Sequence, residues 1–428
     1  MRLFCIIENY SVSLQHIMAG LYIHIPFCAS RCVYCGFFST TRLGERQAYV
    51  EALGREMQLR SLKDPIGPIG LMSPIGPIPP KIDTVYLGGG TPSQLSAEQL
   101  QQLFLYISNV YDVSPKAEVT IECNPDDVTI PFVATLSQLP VNRVSMGAQT
   151  FNDERLHFLH RRHRAAQVSE AVQRLRSAGI RNISIDLMYG FPSETMDEWN
   201  ADIDAALALD VEHLSAYALS YEEGTPLHKM LQQGRVKELD EEVQREMYYT
   251  LKDRLEAASY EHYELSNFAK KEERGERNEK RGGRREGSFR SRHNSSYWNH
   301  TPYIGLGAGA HSFDGKRRQW NVADIGQYIK AIGEGRVPAD GEDIDSVTLY
   351  NETVMTALRT IDGICLDTLS NNERAHCLSQ AKKYLDCGWL CQPDEHTLRL
   401  TRDGLFVSDT VMSDLMADAD AGEEVAFR

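Results

Sequence analysis

Cys28, Cys32 and Cys35 fall within YIHIPFCASRCVYCGFF (residues 22–38) at C-x3-C-x2-C spacing, directly after a strand-like run. Three thiols in eight residues point to a metal centre, and the number three bears on which one. Structural zinc takes four ligands, usually as two close-spaced pairs. His24 offers a fourth donor, but no second cysteine pair follows within reach. Three thiolates in one tight loop suit a 4Fe–4S cluster with one iron left without a protein ligand. Such an iron can chelate the amino and carboxylate groups of S-adenosylmethionine, and an electron from the reduced cluster then splits a carbon–sulfur bond to give a deoxyadenosyl radical. On this reading the absent fourth ligand is the binding site. Phe37 stands at the next candidate position, where a fourth cysteine would fall.

The loop needs a scaffold, and the sequence supplies a repetitive one. Short β-branched or aromatic runs occur at 20–26, 83–89, 118–123, 143–149, 182–190 and 213–220. Helix-like segments lie between them, such as 164–178 with Val168, Val172 and Leu175 at helical spacing. Alternating strand and helix predicts parallel βα units with right-handed crossovers. Six units make an α/β fold with an incomplete (β/α)6 barrel, whose chemistry gathers at the C-terminal ends of the strands. The cysteine loop follows the first strand and GGGTP (Gly88 to Pro92) the second; Glu122 closes the third, Gln149 the fourth, and Asp186 lies late in the fifth. Each alone also fits a glycine turn, a capped helix start or a paired core carboxylate. Five at one edge of one sheet argue for a site.

Composition narrows the setting. The 428 residues are 42% hydrophobic and 25% charged, ordinary for a soluble protein of two or more domains. Nine scattered cysteines read as reduced thiols and predict a cytoplasmic location. A net charge of −15 excludes nucleic acid as the expected partner. No stretch approaches the roughly 20 apolar residues of a membrane helix. The first 17 residues lack the layout of a secretion signal, and Met18 is a candidate start. Two inserts interrupt the pattern. Residues 65–80 repeat Pro-Ile-Gly-Pro-Ile and predict a surface loop. Residues 270–292 hold ten Lys/Arg against five Glu and predict a solvated insert, with a basic arm as the alternative.

Taken together, C-x3-C-x2-C after YIHIPF, GGGTPS, IECNPD, RVSMGAQTFND, DLMYGFP and the later HNSSYW…YIGLGAGAHS resemble the radical S-adenosylmethionine proteins related to oxygen-independent coproporphyrinogen III dehydrogenase. Within that group the chain is most similar to the HemW-type haem chaperones, whose loop carries Phe where the dehydrogenases carry a fourth cysteine. The resemblance implies that Cys28, Cys32 and Cys35 bind a 4Fe–4S cluster and that Tyr22, Gly89 and Glu122 contact S-adenosylmethionine. It implies further contacts, to this or a second molecule, from Gly90, Thr91, Gln149, Arg161 and Asp186. Arg161, in LHRRH, also fits a surface salt bridge, and Tyr34 either packs on adenine or belongs to the core. The implied organisation is an extension (1–19), a partial barrel (20–262), a barrel-completing region with the basic insert 270–292 (263–345) and a C-terminal domain (346–428). The basic insert separates LSNFA (265–269) from HNSSYW, unlike the family pattern.

The C-terminal region predicts helices and a hairpin, winged-helix-like in outline but acidic, hence a lid or docking surface. Its Cys365, Cys377, Cys387 and Cys391 are expected to be buried thiols. Two functions follow from the resemblance. The favoured one is a chaperone that binds haem and delivers it to acceptor proteins, with peripheral membrane contact through those acceptors. The alternative is oxidative decarboxylation of coproporphyrinogen III. Phe37, HNSSYW and the short stretch before the first strand separate them. No catalytic residue is singled out; His293, Tyr297, Trp298 and His311 are the candidates to meet haem, with His293 as axial ligand.

Overall fold

A computed structural model describes residues 18–61, 81–271 and 288–418. The expectations for the first 17 residues, for the Pro-Ile-Gly insert and for the centre of the basic insert lie outside the described residues. The expected strands form in order: β1 Met18–Ile25, β2 Lys81–Gly89, β3 Val113–Cys123, β4 Arg143–Gln149, β5 Asn182–Tyr189 and β6 His213–Ala218. Consecutive members pair in parallel. Helices Arg46–Arg60, Ala97–Val110, Ile130–Leu136, Ala165–Ser177 and Met196–Ala208 make the crossovers. Ser96 and Thr195 start two of them with reciprocal capping boxes to Gln99 and Glu198. The Ala165–Ser177 helix turns Val168, Ala171, Val172 and Leu175 inward, the face its spacing predicted.

The six strands are the centre of a twelve-stranded sheet. Beyond β6 lies an antiparallel hairpin of β7 (Tyr260–Glu264) and β8 (Asn267–Lys270), with β8 against β6. Beyond β1 lies β9 (Tyr303–Leu306), a seventh parallel strand, then β10 (His311–Phe313), β11 (Arg317–Asn321) and β12 (Ala339–Asp343), all antiparallel. Both open edges of the partial barrel are therefore extended. A buried polar network ties the β9 side to the first helix: Arg60 bonds Glu56, Gln319 and Asn321, and Glu56 accepts from Tyr328 and the Gly307 amide.

Alternation along each central strand separates two faces. Leu21, Ile23, Ile25, Val85, Leu87, Ile121, Val144, Met146, Ile183 and Ile185 face the helices and belong to one buried apolar core. The concave face carries Tyr22 and His24, Thr84 and Tyr86, Glu118 to Glu122 at every second residue, Arg143 and Ser145, Ser184 and Asp186, and His213 and Ser215. Buried parallel sheets usually read as continuous apolar runs. This one encloses a polar lumen.

A second, smaller core lies after residue 345. Helices Ser346–Ala357, Asn371–Asp386 and Ser408–Leu415 pack on a sheet ordered β13 (Ile364–Cys365), β15 (Thr397–Leu400), β14 (Leu390–Asp394). It docks on the barrel through Arg359 to buried Glu264 (2.9 Å) and backbone bonds Leu265–Arg359 and Ile361–Tyr263. The expectation for its cysteines needs correction. Only Cys377 is buried; Cys365 and Cys387 are exposed and Cys391 is partly so. Cys365 lies in a two-residue edge strand and Cys387 caps a helix end, so neither faces the small core. Arg290, at the end of the basic insert, pairs with Glu261 at 2.7 Å and lies over the Tyr263 ring, so that flank is anchored. Among the described residues no helix is long and apolar enough to cross a membrane.

Candidate functional site

The cysteine loop leaves β1 at the open end of the lumen and is pinned on three sides. Cys28 N donates to Thr40 O, Val33 N to Leu159 O, and Leu227 N to Val33 O. Val33 plugs into a small apolar cluster with Leu159, Met188, Phe191, Leu219 and Leu227, and Tyr34 packs on its edge. That placement makes Tyr34 part of the loop's footing. Burial pushes the Cys28 and Cys35 thiols up, and each also feels neighbouring cysteine sulfurs. Thiols so placed ionise when a metal takes the proton's place.

The donor set fits a cluster better than a lone ion. Among the described residues no three His, Cys, Asp or Glu side chains are disposed to hold one metal ion. A cubane does not ask for that convergence, because each thiolate goes to a different iron. His24 is withdrawn as a zinc ligand: its Nε2 bonds Phe38 O and its Nδ1 bonds the Tyr22 hydroxyl, both at 3.0 Å, and the residue is buried. Phe37 is 71% exposed beside the loop, so the place of a fourth cysteine is an apolar surface.

The glycine loop after β2 comes to the cysteines. Thr91 donates to Cys28 Sγ at 3.4 Å, and Gly90 N bonds Ile25 O at 2.9 Å. Gly89 has φ +109°, and its amide donates to Glu122 Oε2 at 3.1 Å. Tyr86 holds the other Glu122 oxygen at 2.7 Å. Glu122 is half-buried, yet burial pushes it up to about 7 despite the Tyr86 hydrogen bond, with Asp186 adding to the rise. Asp186 is likewise raised by burial to about 6, against the pull of Arg143. Gln149 ends β4 at φ +69°, strained backbone for a residue with a side chain, at the rim of the same opening.

Arg161 is no surface salt bridge. Its guanidinium bonds Asn124 Oδ1 at 2.8 Å and Gly147 O, and lies 3.7 Å from Cys32 Sγ. It thus ties the cysteine loop to the ends of β3 and β4. Tyr22 lies beside the stacked pair of Tyr86 and His293, ring centres 6.2 and 6.3 Å away, as one wall of the lumen. Tyr22, Gly89, Gly90, Thr91, Glu122, Gln149, Arg161 and Asp186 therefore gather with the three cysteines at one end of the barrel. Reading strand ends alone missed Tyr86, Asn124 and Arg143. The alternation in TVYLGG and RVSMGAQ carried the signal for two of them, since it turns Tyr86 and Arg143 to the same face as Glu122.

His293 requires a correction as haem ligand. It is 1% exposed, and its nitrogens pair with Thr84 Oγ1 (2.8 Å) and the Tyr297 hydroxyl (2.9 Å). No lone pair is left for an iron approaching from outside. His311 is exposed on β10, its ring 6.0 Å from that of Trp320.

One substitution tests the glycine turn. A Cβ on Gly89 would sit 2.6 Å from the His24 ring, which two hydrogen bonds hold in place, in backbone that side chains rarely adopt. Gly89→Ala is expected to weaken S-adenosylmethionine binding about tenfold or more while iron content is kept, by equilibrium binding to the cluster-loaded protein. Unchanged affinity would remove this turn from the site.

Comparison with known proteins gives a consistent picture. Residues 22–206 match the model of the radical SAM superfamily. The chain is 35% identical over 350 residues to the heme chaperone HemW of Bacillus subtilis, covering 81% of this chain and 85% of that one. It is 32% identical over 404 residues to HemW of Mycobacterium tuberculosis, covering 93% and 94%. Among solved structures, coproporphyrinogen III oxidase (HemN) from Escherichia coli superposes with a TM-score of 0.75 at 19% identity, covering 94% of this chain and 91% of that one. At that identity the likeness is one of fold.

Proposed function

This chain belongs to the HemW family of the radical S-adenosylmethionine superfamily, and on that premise we propose that it is a cytoplasmic haem chaperone, binding haem and passing it to acceptor proteins. The observation that carries the reading is the extent of identity with proteins named as haem chaperones, over more than four-fifths of the chain. Phe37 in place of a fourth loop cysteine supports it over decarboxylation of coproporphyrinogen III.

In this reading Cys28, Cys32 and Cys35 hold a 4Fe–4S cluster. The cluster, when bound, supplies an electron and an iron free to take S-adenosylmethionine. The chain's own residues do the rest. The amides of the Gly89–Thr91 turn and the Glu122 carboxylate complement the zwitterionic methionine end, and Asp186 suits a ribose hydroxyl. Arg161 sets a positive charge 3.7 Å from Cys32 Sγ. Gln149 lines the rim.

Haem asks for a different surface: a wide apolar face and an axial donor. The lumen is polar and offers neither. The exposed Phe37 and His311 suit a macrocycle bound outside the barrel, with His311 as the axial candidate in place of His293. Saturable haem binding without turnover of coproporphyrinogen III is the expected result; turnover without haem binding overturns the reading.

A further inference from the structure

Arg143 is the feature of the lumen that the cofactor reading leaves unexplained. It opens β4, is 1% exposed, and is among the largest fully buried side chains of the protein. Its Nε and Nη1 have no hydrogen-bond partner, nor has the hydroxyl of Thr120, its neighbour across the ladder to β3. A guanidinium buried without hydrogen bonds is costly unless its charge serves a purpose. Its position supplies one. Two residues on, Ser145 is paired with Glu122 in the ladder and its hydroxyl approaches Asp186 at 3.4 Å, so Arg143 lies one lumen layer below Glu122 and two below Asp186, which is level with Gly147.

We propose that Arg143 is a positioning residue for the cofactor: its guanidinium, held in the lumen by charge and not by hydrogen bonds, is the counter-ion that keeps Glu122 and Asp186 anionic. The proposal rests on the reading that these two carboxylates hold S-adenosylmethionine. Other groups face them from every side. Tyr86 and the Gly89 amide bond Glu122, and Tyr22 and Tyr297 feel its charge. Ser145, Ser215, Tyr217 and Arg161 face Asp186. Asp186 itself also pushes Glu122 up. His213 and His293, which line the same space, are held neutral by burial and by Arg143 itself. They cannot take over its charge. Arg161 serves the rim and the Cys32 sulfur, so the deeper cation is Arg143.

The sign of the effect follows. Removing the cation raises both carboxylates further, so they stay protonated to higher pH: Glu122 loses its pull on the ammonium of the methionine end, and Asp186 is a weaker acceptor for a ribose hydroxyl. In anaerobically cluster-loaded protein, S-adenosylmethionine affinity measured across about pH 6 to 9 should fall on the acid side in the parent. In Arg143→Gln the midpoint should move up by about one unit, weakening binding at neutral pH roughly fivefold and recovering at high pH. Arg143→Lys should keep the parent's midpoint, and Glu122→Gln should flatten the acid limb. A uniform loss in Arg143→Gln at every pH marks a packing role and overturns the proposal. So does a one-unit shift in Arg143→Lys, or an acid limb that survives Glu122→Gln, and these two decide the matter if Arg143→Gln does not fold. A parent that holds its cluster but binds no S-adenosylmethionine at any pH overturns the underlying reading instead.

Discussion

Replacing Cys32 with alanine is expected to strip the iron–sulfur cluster from the protein. Each loop thiolate holds a separate iron, and two thiolates leave two irons of a cubane without protein ligands. The loop itself should survive, because it is footed by Val33 and Tyr34 on an apolar cluster and pinned by Leu159 and Leu227. The parent, reconstituted anaerobically, should carry about four irons and four sulfides per chain with brown absorbance; the variant should carry almost none. Cys123→Ser is the matched control. Cys123 is next to Glu122 but faces the helices from β3 as part of the apolar core, at 4% exposure. It should keep its cluster. Full iron in Cys32→Ala, or iron lost from Cys123→Ser, means the ligand set is wrong.

His293→Ala is expected to cost stability and to leave haem binding in place. The ring stacks on Tyr86 at 5.0 Å and 24°, and alanine would leave a void there. It would also leave the Thr84 and Tyr297 hydroxyls unpaired in the interior. Burial lowers the imidazole to about 3, so it is neutral at any pH near 7 and its loss removes no charge. The expected destabilisation is about 2–4 kcal/mol by denaturant unfolding, with the haem spectrum of the folded fraction unchanged. A variant as stable as the parent that loses its haem spectrum would restore His293 as the axial ligand.

How far the sequence led depends on the element. The six central strands are found within a few residues because their outward residues are Leu, Ile, Val and Met at every second position. β3 begins at Val113, five residues before the run at 118, because Ser114-Pro115-Lys116 breaks the apolar pattern; there the ladder with β2 jumps from Ile82–Val113 to Thr84–Glu118. The edge strands β11 (RRQWN) and β12 (ADGED) carry almost no apolar signal and hold together through backbone pairing, so nothing in their composition announced them. At the site, residues inside local motifs were found. Those acting from a layer below were not: Arg143 and Tyr86 matter through which face of the sheet they share with Glu122, and His293 was misjudged because a motif says nothing of the Thr84 hydroxyl 209 residues away.

The most direct test of a haem chaperone is one anaerobic preparation, with full cluster and S-adenosylmethionine, divided between two assays. In the first, haem is titrated into the protein; in the second, coproporphyrinogen III is supplied under reducing conditions and its decarboxylation followed. The account predicts saturable haem binding, on the order of one site per chain, and no conversion to protoporphyrinogen IX. Steady conversion to protoporphyrinogen IX with no saturable haem binding would contradict it.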